Sequence, residues 1–386
     1  MRTSLIVCVL LLTTACSLPG PRHGMVSAEQ LLSGTDLSLP PLQTEPVTRA
    51  DAIALDDEMR AFVKKWVGRT TQKSLALSQL VTGMEQRGFF RLEYVVGDTR
   101  TAQRTFHDMR GNCISFTLLF VALARESGLN VSYQIVDVPP VWSVDSLLMV
   151  IANHINVLIE TPGRDYVMDF NETRFNARYP REKISDEYAL ALFFNNLGAE
   201  AMLRDDEGLA LHYFREAIAL EHDATDPWVN LGLLYARRGL HDHAEAAYLE
   251  ALDIDPLQRS ALTNLANLYD LLGETELAAA YYNRVRHYQQ RNPFYHFAVA
   301  QQALAQDRLE DAVHSIDHAI RLKRDEQDFY YLLGITQVEL GKYADAVASL
   351  EQGRAYATSD NDKARYDAAL AEVRQESGTA SLEEAR

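Results

Sequence analysis

Trp228-Val-Asn-Leu-Gly-Leu-Leu-Tyr235, followed by Ala244, Tyr248, Ala251 and Pro256, sets the architecture of half of this 386-residue chain. The apolar residues recur at helical steps, first along one helix and then along a second. The pattern also returns every 34 residues: Leu197, Leu231, Leu265, Val299 and Leu333 form one in-register set. Ala210, Ala244, Ala278, Ala312 and Ala346 form another, and Phe214, Tyr248, Tyr282, Ile316 and Leu350 a third. Small residues where two helices touch, and bulky ones between layers, are what stacked helix hairpins need. From Glu187 onward the chain therefore reads as an all-α solenoid.

The pattern resembles the tetratricopeptide repeat almost residue for residue. Five repeats run over 191–358, a polar-faced capping helix occupies 361–376 within a repeat region of 187–378, and 379–386 reads as a tail. The resemblance implies a concave groove for a protein or peptide partner; a spacer or a dimer surface is the other use of such an array. Asn196, Asn230 and Asn264 recur in register and read as structural hydrogen-bonding residues. His241 and His243 have no accompanying ligand set, so neither a metal site nor a cofactor is expected.

Upstream lies Arg110-Gly-Asn-Cys-Ile-Ser-Phe-Thr-Leu-Leu-Phe-Val-Ala-Leu-Ala-Arg-Glu-Ser-Gly128. Phe116, Leu119, Phe120, Leu123 and Ala124 recur at helical spacing, so the segment reads as a buried helix from Cys113 to a closing Gly128. A cysteine on the first turn faces unpaired backbone N–H groups and the positive end of the dipole. Both favour the thiolate, and the same amides can cradle an oxyanion. After Gly128 the period changes to alternation: Val131, Tyr133 and Ile135 mark a strand, with 153–159 and 166–170 as two more. If Glu160 pairs with Asp165, Asp169 falls opposite Asn156 and shares a sheet face with His154 on the diagonal.

The cysteine segment resembles that of the bacterial transglutaminase-like fold, similar to papain-type cysteine peptidases in its Cys-His-Asp arrangement. The likeness covers Thr99 to Asn171 and implies an α+β papain/transglutaminase-like catalytic domain over 49–186, ahead of the tetratricopeptide solenoid. It makes Cys113 the nucleophile, His154 its base and Asp169 the group that orients His154. Asn156 stands where many members carry an aromatic. Arg110 and Asn112 are near enough to be considered as the second oxyanion donor. Taken one at a time, Cys113 also suits a small buried hydrophobe, His154 a strand histidine and Asp169 a strand-end acid.

The net charge of −17 leaves no basic surface for nucleic acid. Arg2, the apolar run Leu5–Leu12 and Thr13-Thr14-Ala15-Cys16 read as a secretory signal over 1–15. The small residues before Cys16 resemble the bacterial lipobox, which implies lipidation of Cys16 and a membrane anchor in the cell envelope, on the outer membrane facing the periplasm. Cys8 leaves with such a signal, so Cys113 is left as a lone thiol. Residues 16–48 hold five prolines among Ser, Gly and Thr and read as a tether. Residues 49–90 read as two helices. Together these readings describe a lipoprotein that hydrolyses a peptide or amide bond, with protein crosslinking or a non-catalytic envelope scaffold as the alternatives.

Overall fold

The computed structural model describes residues 26–136, 141–142, 149–150, 154–170 and 180–384. The expected signal segment 1–15 and Cys16 lie outside them. In chain order the first part holds α1 Ala28–Ser33, α2 Arg49–Ala52, α3 Asp57–Trp66, α4 Lys73–Arg87, β1 Glu93–Tyr94, α5 Ala102–Asp108, β2 Arg110–Gly111 and α6 Cys113–Glu126. Strands β3 Asn130–Val136, β4 Val141–Trp142, β5 Met149–Val150, β6 His154–Thr161, β7 Arg164–Met168 and β8 Arg181–Ile184 follow.

Helix α6 is buried on every side from Ile114 to Ala124, which explains why its sequence is apolar all round. One wall of its enclosure is the antiparallel sheet β7-β6-β3-β8. Val131, Tyr133, Ile155, Val157 and Ile159 join α6 in a single core. Glu160 pairs with Asp165 as the strand parity requires, and the ladder runs on to Thr161 opposite Arg164. Strand β8 is absent from the sequence reading. Its burial alternates only weakly and its order comes from pairing with β3. Residues 49–90 hold three helices rather than two, because a one-turn helix, α2, is capped by Thr48.

The stretch read as a tether is docked over much of its length. Ser27 caps α1, and Leu31 is completely buried. The Tyr235 hydroxyl donates to the Leu31 carbonyl at 2.6 Å, and His243 meets Asp36 at 2.8 Å. Farther along, the Val47 N–H donates to the Tyr213 hydroxyl at 3.0 Å, and Arg49 pairs with Glu216 at 2.9 Å. A segment rich in proline and serine has no helical or strand period. Its order comes from these contacts with residues far along the chain.

The solenoid consists of the hairpins α7 Asp186–Leu203 with α8 Glu207–Leu220, α9 Thr225–Arg237 with α10 His241–Ile254, α11 Arg259–Leu271 with α12 Thr275–Arg291, α13 Pro293–Ala305 with α14 Leu309–Leu322, and α15 Gln327–Glu339 with α16 Tyr343–Tyr356. A last helix, α17 Asp360–Glu384, continues through the expected tail. The five in-register alanines are all buried. Gly232 shows why the first set is followed by a small residue: a Cβ there would stand 2.5 Å from Tyr248 Cε1. Asn230 donates to Asn195 across adjacent hairpins at 2.8 Å. The core that begins at Leu31 runs without a break to Val285, and separate clusters serve the last two hairpins.

Candidate functional site

The start of α6 is sterically tight. Gly111 has φ 154°, and a Cβ there would lie 2.8 Å from Ser115 Cβ, so glycine alone lets β2 turn directly into the helix. Asn112 is the N-cap: its Oδ1 accepts the Ser115 N–H at 3.1 Å and the Ser115 hydroxyl at 2.8 Å. The Phe116 N–H bonds back to the Asn112 carbonyl at 3.2 Å. The N–H groups of Cys113 and Ile114 are left with no partner within the helix.

His154 opens β6 and is 2 % exposed. Its Nε2 lies 2.8 and 2.7 Å from the two carboxylate oxygens of Asp169. The half-buried Cys113 side chain lies close enough to the same imidazole to favour its charged form. Burial works against a charge on His154, but the hydrogen bonds and negative charge of Asp169, aided by the neighbouring Cys113, outweigh it, pushing its pKa up to about 9. The structure thus brings all three residues singled out in the sequence into one cluster.

Asn156 went unassigned in the sequence reading and has a place here. Its Nδ2 donates to Asp169 Oδ2 at 3.0 Å, steadying the carboxylate that holds His154. The strand parity that put Asp169 opposite Asn156 was the available signal. The two side chains considered for an oxyanion are both engaged elsewhere. Arg110 Nε donates to Asp98 Oδ2 at 2.9 Å, and Asn112 Nδ2 donates to Thr99 Oγ1 at 2.7 Å. Burial disfavours the charge of Asp98, yet bonds from Arg100 and Arg110 hold its carboxyl below the usual range.

A second feature lies on the solenoid. A cavity of about 360 Å³ opens between α7 and the first turns of α9 and α11, lined by Tyr188, Leu192, Asp226, Gln258, Arg259 and Tyr288 among others. Gln258 Nε2 donates to Asp226 Oδ1 at 3.1 Å, and Arg259 Nη1 to the Tyr288 hydroxyl at 2.5 Å. Among the described residues no group of three His, Cys, Asp or Glu is arranged around a metal ion, and no helix is long and apolar enough to cross a membrane.

Two tetratricopeptide repeat models match this chain, one at residues 208–259 and 331–386 and the other at 260–285. The chain is also 34% identical over 125 residues to Photosystem I assembly protein Ycf3 of Synechococcus elongatus, a match that spans 31% of this chain and 70% of that protein. This chain belongs to the tetratricopeptide repeat family. A shorter repeat-protein match, 39% identical over 62 residues, is to the general transcriptional corepressor ssn6 of Schizosaccharomyces pombe, covering 16% of this chain and 6% of that one. Among solved structures, MamA of Desulfovibrio magneticus RS-1 aligns with 17% identity and a TM-score of 0.25, over 45% of this repeat protein and 96% of MamA. Neither repeat model reaches Cys113.

Proposed function

We propose that this repeat protein recruits a protein or peptide partner through its solenoid and that its N-terminal α+β part, transglutaminase-like in its Cys-His-Asp order, performs thiol acyl transfer on it. What supports the chemistry is one imidazole held at Nε2 by both Asp169 oxygens, at 2.8 and 2.7 Å, with the half-buried Cys113 side chain beside the same ring.

Nε2 is occupied by Asp169, so Nδ1 is the nitrogen left to exchange a proton with the sulfur or the substrate. With a pKa of about 9 the ring is charged at neutral pH, so His154 acts first as an acid rather than as the expected base. Beside an imidazolium, cysteine works as a thiolate nucleophile. The sulfur attacks the carbonyl carbon, and the π electrons move to oxygen, within reach of the Cys113 and Ile114 N–H groups. As the C–N bond breaks, Nδ1–H protonates the departing amine and leaves a thioester on Cys113. Neutral His154 then takes a proton from water, the hydroxide adds to the acyl carbon, the C–S bond breaks to return the thiolate beside the imidazolium, and the acid leaves. Water needs no dedicated site, whereas crosslinking needs one for an amine acceptor, so hydrolysis is the simpler outcome.

A non-catalytic assembly scaffold is the second reading, and the comparisons favour it. Both family models fall on the repeats, and the relative of 34% identity carries the name of an assembly protein. Alkylation of Cys113 by iodoacetamide, followed by mass spectrometry between pH 5 and 9, separates the two. The enzyme reading expects rapid reaction near pH 6 and at least about a tenfold slowing in His154→Ala. Equal, slow rates in both proteins would leave the scaffold.

A further inference from the structure

Helix α7, the first of the solenoid, lies antiparallel to the cysteine helix α6 and is fastened to it near both ends. At one end Arg125 grips Asp186 with two bonds of 2.6 and 2.7 Å. Near the other end, Glu200 Oε1 accepts the Thr99 N–H at 2.8 Å. Glu200 is 8 % exposed, which is unusual for a carboxylate unless it has a task. Burial pushes this carboxyl up, while its contact with Thr99 pulls it part of the way back.

The direction of these bonds matters. Glu200 holds the Thr99 backbone through that N–H, and the Thr99 hydroxyl oxygen serves as an acceptor beside the cap of α6. That oxygen receives Asn112 Nδ2–H at 2.7 Å. With its amide nitrogen committed there, Asn112 must present Oδ1 to the Ser115 N–H and hydroxyl. The Ser115 oxygen is fixed in turn by the Arg100 N–H at 2.9 Å. From the Thr99 oxygen to the cap of α6 each group is therefore held in one orientation.

We infer that Glu200 is a positioning residue: by holding Thr99 it supports the Asn112 cap, and so places Cys113 and the N–H groups of Cys113 and Ile114 for the reaction. This rests on the thiol reading of Cys113 proposed above. It makes the first repeat helix part of the site's framework. A reversed Asn112 amide would put an NH₂ against the Ser115 N–H, loosening the first turn of α6 where the oxyanion must be held.

The test uses the full chain with Cys8→Ser and Cys16→Ser, so that Cys113 is the one thiol. Two reagents part positioning from mere folding. Acylation by p-nitrophenyl acetate, measured above the Cys113→Ala background, develops an oxyanion; alkylation by iodoacetamide does not. Glu200→Ala and Thr99→Val are each expected to slow acylation about tenfold while alkylation stays within about twofold. Because both act through one relay, the double variant should lose no more than either alone. Unchanged acylation in the folded variants, or losses that multiply, would overturn the relay; if Glu200→Ala does not fold, Thr99→Val carries the test. If the parent acylates no faster than Cys113→Ala, the thiol reading fails instead. The relay is then judged by the Asn112 side-chain amide signals in NMR, which Glu200→Ala shifts if the relay holds and leaves in place if it does not.

Discussion

Replacing Asp169 by Asn removes the charge that holds His154 while keeping nearly the same shape. In the native protein the imidazole titrates at about 9 instead of the ordinary 6.5. That difference corresponds to about 3 kcal/mol favouring the charged ring. A group raised in the folded state contributes stability that is complete below 6.5 and is lost as pH rises through 9. Asp169→Asn is therefore expected to destabilise the protein by about 3 kcal/mol near pH 6 and by little near pH 10. The packing cost should be small. Asn156 Oδ1 is buried without a partner, so turning that amide over offers an acceptor to the NH₂ group that the substitution introduces, at little expense. The imidazole stays buried in the variant and loses its main anionic partner, so its titration should fall toward 6.5. At pH 7.5 its charged fraction then drops from nearly all toward about a tenth if the ring reaches its ordinary value. Denaturant unfolding at several pH values and NMR titration of the ring measure both quantities. The reasoning is refuted if the stability loss is the same at pH 6 and pH 10, or if the native ring titrates near 6.5.

Two further outcomes concern the solenoid. Gly232→Ala should destabilise by about 1–3 kcal/mol, since the fully packed Tyr248 ring cannot step away from a Cβ at 2.5 Å. One repeat later Ala266 already sits at the equivalent place against the half-buried Tyr282, so Ala266→Gly should also destabilise, by about 1 kcal/mol through helix propensity alone. Thermal unfolding of the two variants checks both signs. Truncation depends on where the shared core ends. Removing 292–386 cuts after Val285, the last residue of that core, and should leave the Cys113 region folded. Removing everything from 191 strips Phe193, Phe194 and Glu200 from around α6 and should unfold it. Circular dichroism and limited proteolysis of the two truncations decide the matter; equal behaviour would contradict the continuous core.

The repeat was legible because its contacts are local. A residue such as Gly232 meets its partner, Tyr248, within a single helix hairpin, so the 34-residue period carries the packing rule from one repeat to the next. The register of β6 and β7 was legible for a related reason. Two strands joined by a short turn have only two parities, and one of them puts His154 and Asp169 on the same face. Contacts without such short-range bookkeeping were invisible. Helix α1 is placed by the Tyr235 hydroxyl, 204 residues farther along, and its own sequence looks like a linker. Glu200 reads as one more acid on a repeat helix until the fold lays α7 along α6 and buries its carboxylate against Thr99, 101 residues earlier. Strand β8 takes its order from β3, and the role of Asn156 from a carboxylate on the next strand. The change from alternation to helical period near residue 186 marks where the architecture changes; because one apolar core spans that point, only the tertiary structure decided that the two halves pack as one.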